Sequence, residues 1–365
     1  MNSKAFFYGL NSIYLNKNEK MKYSKIPNTD INVSKICLGT MTFGQQNSEK
    51  EAHEQLNYAF EKGVNFIDTA EMYSIPGNKN TQGSSERLIG TWLKNQKRED
   101  LVVATKVTGP NDYFKYIREN LGFSKPVILE ALDKSLARLQ TDYVDIYQLH
   151  WPDRNANYFG QLNYVHNKDD QWQDNIKEVI ETLDGLVKEG KIRNYGVSNE
   201  TSWGLMRHLT ESKYGNLTRC KTIQNSYSLL NRLFEINLAE VAMREKVGLL
   251  AYSPLAFGVL SGKYLNGQLP EKSRLKLFPQ YSRYSNKQAH ILTHKYNDLV
   301  KELNISLAQL SLAFVNQQPF VTGNIIGATT MEQLKENIGS INIELSVETL
   351  KRINDIQTLQ PNPAP

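Results

Sequence analysis

From Lys35 onward the chain alternates between two hydrophobic periods. Short apolar runs, rich in β-branched and aromatic side chains and bounded by Gly, Ser, Asn or Pro, recur eight times. They are KICLGT (35–40), NFIDTA (65–70), LVVATKV (101–107), YVDIYQLH (143–150), RNYGVSN (193–199), KTIQNSYS (221–228), GLLAYSPL (248–255) and TGNIIGAT (322–329). Each predicts a strand. Between them, apolar residues recur three and four apart, which predicts helices over 48–63, 83–96, 124–140, 176–191, 202–212, 234–246, 306–317 and 330–340. The first of these opens on Ser48 as an N-cap and closes at Gly63.

Eight β-then-α units with no break in composition predict an α/β protein built as one closed (β/α)8 TIM barrel over residues 21–365. A doubly wound sheet is the alternative, but no G-x-G-x-x-G follows any of the strands. KYSKIPNTDINVS (22–34) predicts an N-terminal hairpin plugging the barrel's base, and SVETLKRINDIQ (346–357) an extra C-terminal helix. Residues 1–20 lack the pattern and are expected to form a disordered N-terminal extension. The polar stretch 151–175 is too long for a simple connector, which points to a functional loop.

Composition narrows the partners. The net charge of +5 is spread along the chain without a dense Lys/Arg run, so neither nucleic acid nor a membrane surface is an expected partner. A mild positive balance suits a phosphorylated anionic cofactor without requiring one. Cys37 and Cys220 are far apart and match no metal spacing, as expected of reduced thiols in a cytosolic, cytoplasmic protein. No apolar stretch approaches the ~18 residues of a membrane span. His290 and His294 have the i, i+4 spacing of a helical metal pair but no third ligand, so no metal is expected. His53, His166 and His208 read as surface residues.

The chemistry concentrates at strand ends, where barrels of this type place their active sites. Asp68 falls late in the second strand, Lys106 near the end of the third and His150 at the end of the fourth, with Tyr73 on the loop after the second. A buried carboxylate needs a partner, and Lys106 on the adjacent strand can supply it. An ammonium beside a phenol lowers the phenol's pKa, which would make Tyr73 a general acid or base. His150 would orient a substrate oxygen. The plain alternative is a structural Asp68–Lys106 ion pair with Tyr73 as packing. A Schiff-base aldolase acting through Lys106 is a further reading.

NFIDTAEMY, ATKV, YQLHWPD, KIRNYGVSN and AYSPL, in that order, resemble the signatures of the aldo-keto reductases from about residue 22 onward. The resemblance implies a catalytic tetrad of Asp68, Tyr73, Lys106 and His150 that reduces a small-molecule carbonyl with NADP(H), without metal or flavin. It also implies cofactor contacts. Thr40, Met41 and Asp68 would border the nicotinamide end. Ser198, Asn199 and Gln224 would hydrogen-bond the carboxamide, and Tyr252 would stack on the ring. Ser253, Leu255, Gly258 and Lys263 belong to the loop over the pyrophosphate. Arg283 is assigned the adenosine side, with Arg274 as its competitor. Gly327, Thr329, Gln333, Glu336 and Asn337 match adenosine contacts. Many relatives carry a Lys or Arg at this last turn to grip a 2′-phosphate, whereas this chain has Ala328-Thr329-Thr330. The alternative the resemblance allows is an NADP(H)-binding redox-sensing regulatory subunit. Similar barrels serve as beta subunits of voltage-gated potassium channels, which have Asn where this chain has His150. The sequence implies no particular oligomeric state.

Overall fold

The computed structural model of the chain describes residues 13–15 and 20–365. Its strands are β1 (Ile13–Leu15), β2 (Tyr23–Lys25), β3 (Asn32–Ser34), β4 (Ile36–Gly39), β5 (Phe66–Asp68), β6 (Val102–Val107), β7 (Val144–Leu149), β8 (Ile192–Ser198), β9 (Thr222–Ser226), β10 (Gly248–Tyr252), β11 (Val321–Ile326) and β12 (Ile343–Leu345). Strands β4 to β11 pair in parallel and close on themselves, a (β/α)8 barrel in which all eight predicted strands take part. The predicted hairpin is the antiparallel pair β2–β3. Within the expected extension, β1 pairs antiparallel with β12, and residues 1–12 and 16–19 lie outside the described residues.

The surrounding helices are α1 (Glu49–Glu61), α2 (Ser84–Leu93), α3 (Lys125–Leu139), α4 (Ile176–Lys188), α5 (Ser202–Tyr214), α6 (Leu238–Glu245), α7 (Arg274–Leu277), α8 (Lys287–Leu303), α9 (Leu307–Asn316), α10 (Met331–Gly339) and α11 (Val347–Leu359). Ser48 caps α1 in a reciprocal box with Glu51, and Ser306 does the same for α9 with Gln309. The sequence pattern assigned no helix to α8, whose buried stripe of Ala289, Leu292, Tyr296, Leu299 and Leu303 is diluted by lysines, histidines and Asn297. α6 starts four residues later than predicted, because Leu233–Glu235 forms a 3-10 turn and Asn237 has φ 74°.

The barrel interior is layered by the two-residue period of its strands. Ile26, Ile31 and Val33 from the hairpin fill the base, and Cys37, Phe66, Val102, Ala104, Ile146 and Leu250 fill the layers above. Two residues further along the same strands the inward side chains turn polar: Phe66 gives way to Asp68, Ala104 to Lys106, Ile146 to Gln148 and Leu250 to Tyr252. The apolar layers seal the base and leave the charged groups at the open end.

Candidate active site

Asp68 ends β5 at 2% exposure, and Lys106 is fully buried on β6. Lys106 Nζ donates to Asp68 Oδ2 at 2.7 Å and to the Thr69 carbonyl at 2.7 Å. The expected pairing is therefore present. Burial works against the ammonium, yet Asp68 and then Tyr73 outweigh it and hold Lys106 above the ordinary lysine value. Tyr73 lies over the same group, with its ring centroid 5.0 Å from Nζ. His150 faces Tyr73 edge-on, ring centroids 5.9 Å apart.

Two corrections follow from how deeply these groups are buried. The phenol of Tyr73 was expected to be more acidic than usual, but burial pushes its pKa above the ordinary value and Lys106 offsets only part of the rise. The ammonium's help is real but smaller than the loss of solvent. Tyr73 is accordingly a held proton rather than a phenolate. His208, expected at the surface, is 3% exposed inside α5, and burial pushes its imidazole down to about 3. His150 is likewise held well below the ordinary histidine value by burial and then by Lys106, so its ring is neutral, with a buried Nδ1 that has no hydrogen-bond partner among the described residues.

The remaining candidates form two groups around this centre. Thr40 is buried beside Asp68, its Oγ1 donating to the Asp68 carbonyl at 3.0 Å, and Met41 follows it. Tyr252 donates to Asn199 Oδ1 at 2.6 Å, and Asn199 Nδ2 donates to the His150 carbonyl at 2.9 Å and to Ser198 Oγ at 3.1 Å. Ser198 Oγ donates to the Gln224 carbonyl at 2.9 Å. One connected patch thus joins Ser198, Asn199, Gln224 and Tyr252 to the strand end that carries His150. A cavity of about 80 Å³ opens beside it, lined in part by Tyr158, Phe159, Asn199, Tyr252 and Arg283.

The second group follows β10. Ser253 takes a positive φ of 53°, and past Leu255 so do Ala256 (47°), Phe257 (55°) and Gly258 (90°). A Cβ on Gly258 would meet Lys263 Cε at 2.7 Å and Nζ at 2.9 Å, so glycine there lets the lysine fold back along the loop. Arg274, rather than Arg283, completes this group. Its guanidinium stacks on Phe257 at 4.9 Å, and burial first pushes it below its ordinary value. Lys263 is lowered too, by burial and then by Arg274. Among the described residues neither cation has an ion-pair partner. Two half-desolvated cations side by side fit an anion with several oxygens. Arg283 points elsewhere: its Nε donates to the Pro365 carbonyl at 2.6 Å and its Nη2 to Ser226 Oγ at 3.3 Å.

At the eighth turn, Thr329 N donates to Gln333 Oε1 at 3.0 Å, and Asn337 Nδ2 to the Gly327 carbonyl at 3.1 Å. Gln333 and Asn337 therefore brace the turn, and Glu336 follows on the half-exposed side of α10. Of the aromatic residues in the stretch 151–175, Trp151, Tyr158 and Phe159 gather near Tyr73 and His150. Tyr164 is exposed, and Trp172 packs edge-on against Trp203 instead. Among the described residues no cluster of His, Cys, Asp and Glu is placed to hold a metal ion, and no helix is long and apolar enough to cross a membrane.

Three groups escaped the sequence reading. Gln148, fully buried, donates to Asp68. It stands two residues before His150 and thus on the same strand face, a polar residue in an apolar run like Asp68 itself. Glu71 and Arg118 form a buried bidentate pair, and Glu71 Oε1 also accepts from the Thr108 N–H at 2.7 Å. This pair ties the loop bearing Tyr113, Phe114 and Tyr116 to the segment bearing Tyr73. Separated by 47 residues, it left no local signal.

The sequence profile of the Aldo/keto reductase family matches residues 35–358. The chain belongs to the aldo/keto reductase family. It is similar to Protein tas of Escherichia coli (strain K12), 49% identical over 354 residues that cover 94% of this chain and 100% of that protein. It is also similar to the uncharacterized oxidoreductase YrpG of Bacillus subtilis (strain 168), 35% identical over 92% of this chain and 96% of YrpG. An aldo-keto reductase of Babesia bovis is 38% identical over 65% of this chain and 88% of its own length. As a member of the family the chain is an oxidoreductase.

Proposed function

We propose that this aldo-keto reductase reduces aldehydes or ketones to alcohols with NADPH, Tyr73 giving the proton. The observation that carries the reading is the buried Lys106 ammonium, 2.7 Å from Asp68 and 5.0 Å from the Tyr73 ring, with a neutral imidazole facing the same phenol.

The cofactor, when bound, supplies the hydride. The chain's own groups do the rest. Tyr252, Asn199, Ser198 and Gln224 present an aromatic face and amide and hydroxyl groups that fit a nicotinamide carboxamide. Gly258, Lys263 and Arg274 fit the pyrophosphate and 2′-phosphate charge, with Ser253 and Leu255 shaping the loop. Gly327, Thr329, Gln333, Glu336 and Asn337 would flank the adenosine. Because the Lys263–Arg274 pair offers cationic partners to a further phosphate, NADPH is preferred to NADH even though the eighth turn lacks a cation.

A carbonyl oxygen brought beside the aromatic cluster of Trp151 and Tyr158 would meet the Tyr73 hydroxyl and the neutral His150 ring. As negative charge grows on that oxygen, Tyr73 transfers its proton. The phenolate left behind is stabilised by Lys106, whose own charge Asp68 balances. A pKa raised by burial keeps the proton on Tyr73 until that moment, and the ammonium becomes most useful only once the phenolate has formed. That is differential stabilisation of the late stage over the resting state.

Tyr73→Phe tests this. Consumption of NADPH at 340 nm with an aldehyde panel should disappear, while NADPH binding followed by protein fluorescence stays within about twofold, because the lost hydroxyl is directed at the substrate. Undiminished turnover would refute the assignment. Tight NADPH binding by the unaltered protein with no reduction of any aldehyde would favour the regulatory-subunit reading instead.

A further inference from the structure

Gln148 lies on the interior face of β7, beside Lys106 in register, and the proton and hydride chemistry makes no use of it. Three polar side chains meet at one oxygen there. Asp68 Oδ1 accepts from Gln224 Nε2 at 2.8 Å and from Gln148 Nε2 at 3.3 Å, and Gln224 Nε2 also donates to Gln148 Oε1 at 3.1 Å. A carboxylate only accepts, so both amides must turn their nitrogen toward Asp68, which settles which end of each amide is which. Gln148 Oε1 then takes the second amide proton of Gln224. With both protons engaged inward, Gln224 Oε1 is directed away from Asp68 and accepts from no donor among the described residues.

We infer that Gln148 is a positioning residue: by taking one amide proton of Gln224 it holds the Gln224 carbonyl outward as an acceptor for the carboxamide N–H of the cofactor. One donor bond lets an amide plane pivot about it, whereas two fix where its oxygen points. The inference rests on the nicotinamide site proposed above and adds a residue that never touches the cofactor. Methionine at 148 fills a similar volume but its thioether is only a weak acceptor, so Gln224 would be held essentially by Asp68 alone. Glutamate at 148, kept protonated by the Asp68 carboxylate beside it, still accepts from Gln224 and donates to Asp68 in place of the amide.

The test uses the full chain and two ligands, each titrated by fluorescence without substrate: NADPH and its reduced 3-acetylpyridine analogue, whose methyl ketone has no N–H to give. The unaltered protein should prefer NADPH about tenfold, the worth of one buried hydrogen bond. Gln148→Met should lose most of that preference by weakening NADPH alone, and Gln148→Glu should keep it. Gln148→Leu replaces the methionine variant if thermal melting shows that the latter does not fold. Full preference retained in Gln148→Met, or equal weakening of both ligands, would overturn the inference and leave the nicotinamide site standing. Failure of the unaltered protein to bind either ligand would overturn the site itself, and the role of Gln148 with it.

Discussion

Exchanging Asp68 for Asn removes one charge from the barrel interior and almost no volume. The ammonium of Lys106 then keeps the Thr69 carbonyl, at 2.7 Å, but loses its carboxylate partner, also at 2.7 Å. At an effective dielectric constant of about 20, charges at that spacing attract by about 6 kcal/mol. Asn still offers a neutral acceptor, so the net loss should be about 3–5 kcal/mol, as when a buried pair is broken from one side. Lys106→Met orphans the other partner and should cost a similar amount. The double variant buries no unpaired charge, and its cost should fall short of the sum by several kcal/mol. Urea unfolding of all four proteins at pH 7, with a common slope, measures this cycle. The sign with pH is also set. Lys106 has a raised value in the folded state, so its contribution is full below the unfolded lysine value of about 10.4 and fades as pH rises through the folded one. Between pH 6 and 9 the cost of Asp68→Asn should therefore be flat. Single costs that simply add, or a cost that vanishes near pH 7, would refute the reading of this pair as the electrostatic centre.

Other outcomes follow from the same geometry. Because His150 is neutral well below its usual range and Tyr73 keeps its proton above its own, the rate of carbonyl reduction at saturating substrate should show no break near pH 6.5, where free histidine titrates; a loss of rate as pH falls through that value would contradict a neutral His150. His208, held down to about 3, gains a proton on unfolding, so stability is present above the unfolded value of about 6.5 and is lost below it. Each pH unit below about 6 should cost about 1.4 kcal/mol through this residue, and His208→Leu should flatten the slope measured by denaturant titration. Arg274→Met should weaken NADPH binding about 10–100-fold through the lost charged contacts, whereas Arg283→Met should change it little; calorimetric titration with the opposite ranking would give the phosphate role to Arg283 instead.

The periodicity of the chain was enough to lay out eight strands in order and, by the barrel rule, to bring Asp68, Lys106 and His150 to one rim. These are local facts: a two-residue alternation sets which face a side chain takes, and the strand's end sets its height. Tyr73, on the loop after the second strand, joined them on the same ground, and the resemblance of ordered motifs then supplied the patch of Ser198, Asn199 and Tyr252, which the structure joins in one hydrogen-bonded run. α8 went unseen because its buried stripe is interrupted by charged residues on a strongly polar helix.

What no reading along the chain reached depends on distances across the fold. Whether burial or the neighbouring ammonium governs the Tyr73 proton is a contest between desolvation and Coulomb attraction, and only the depth of the phenol decides it. Which arginine joins Lys263 is decided by where a long loop returns, since Arg274 and Arg283 stand nine residues apart in equally polar surroundings. The amide of Gln148 acquires its direction from a carboxylate 80 positions earlier. Sequence alone set which groups reach the rim, because alternation is a short-range rule. Their charge states and partners were left to tertiary packing, because electrostatic energy depends on separation in space and on the solvent that packing removes.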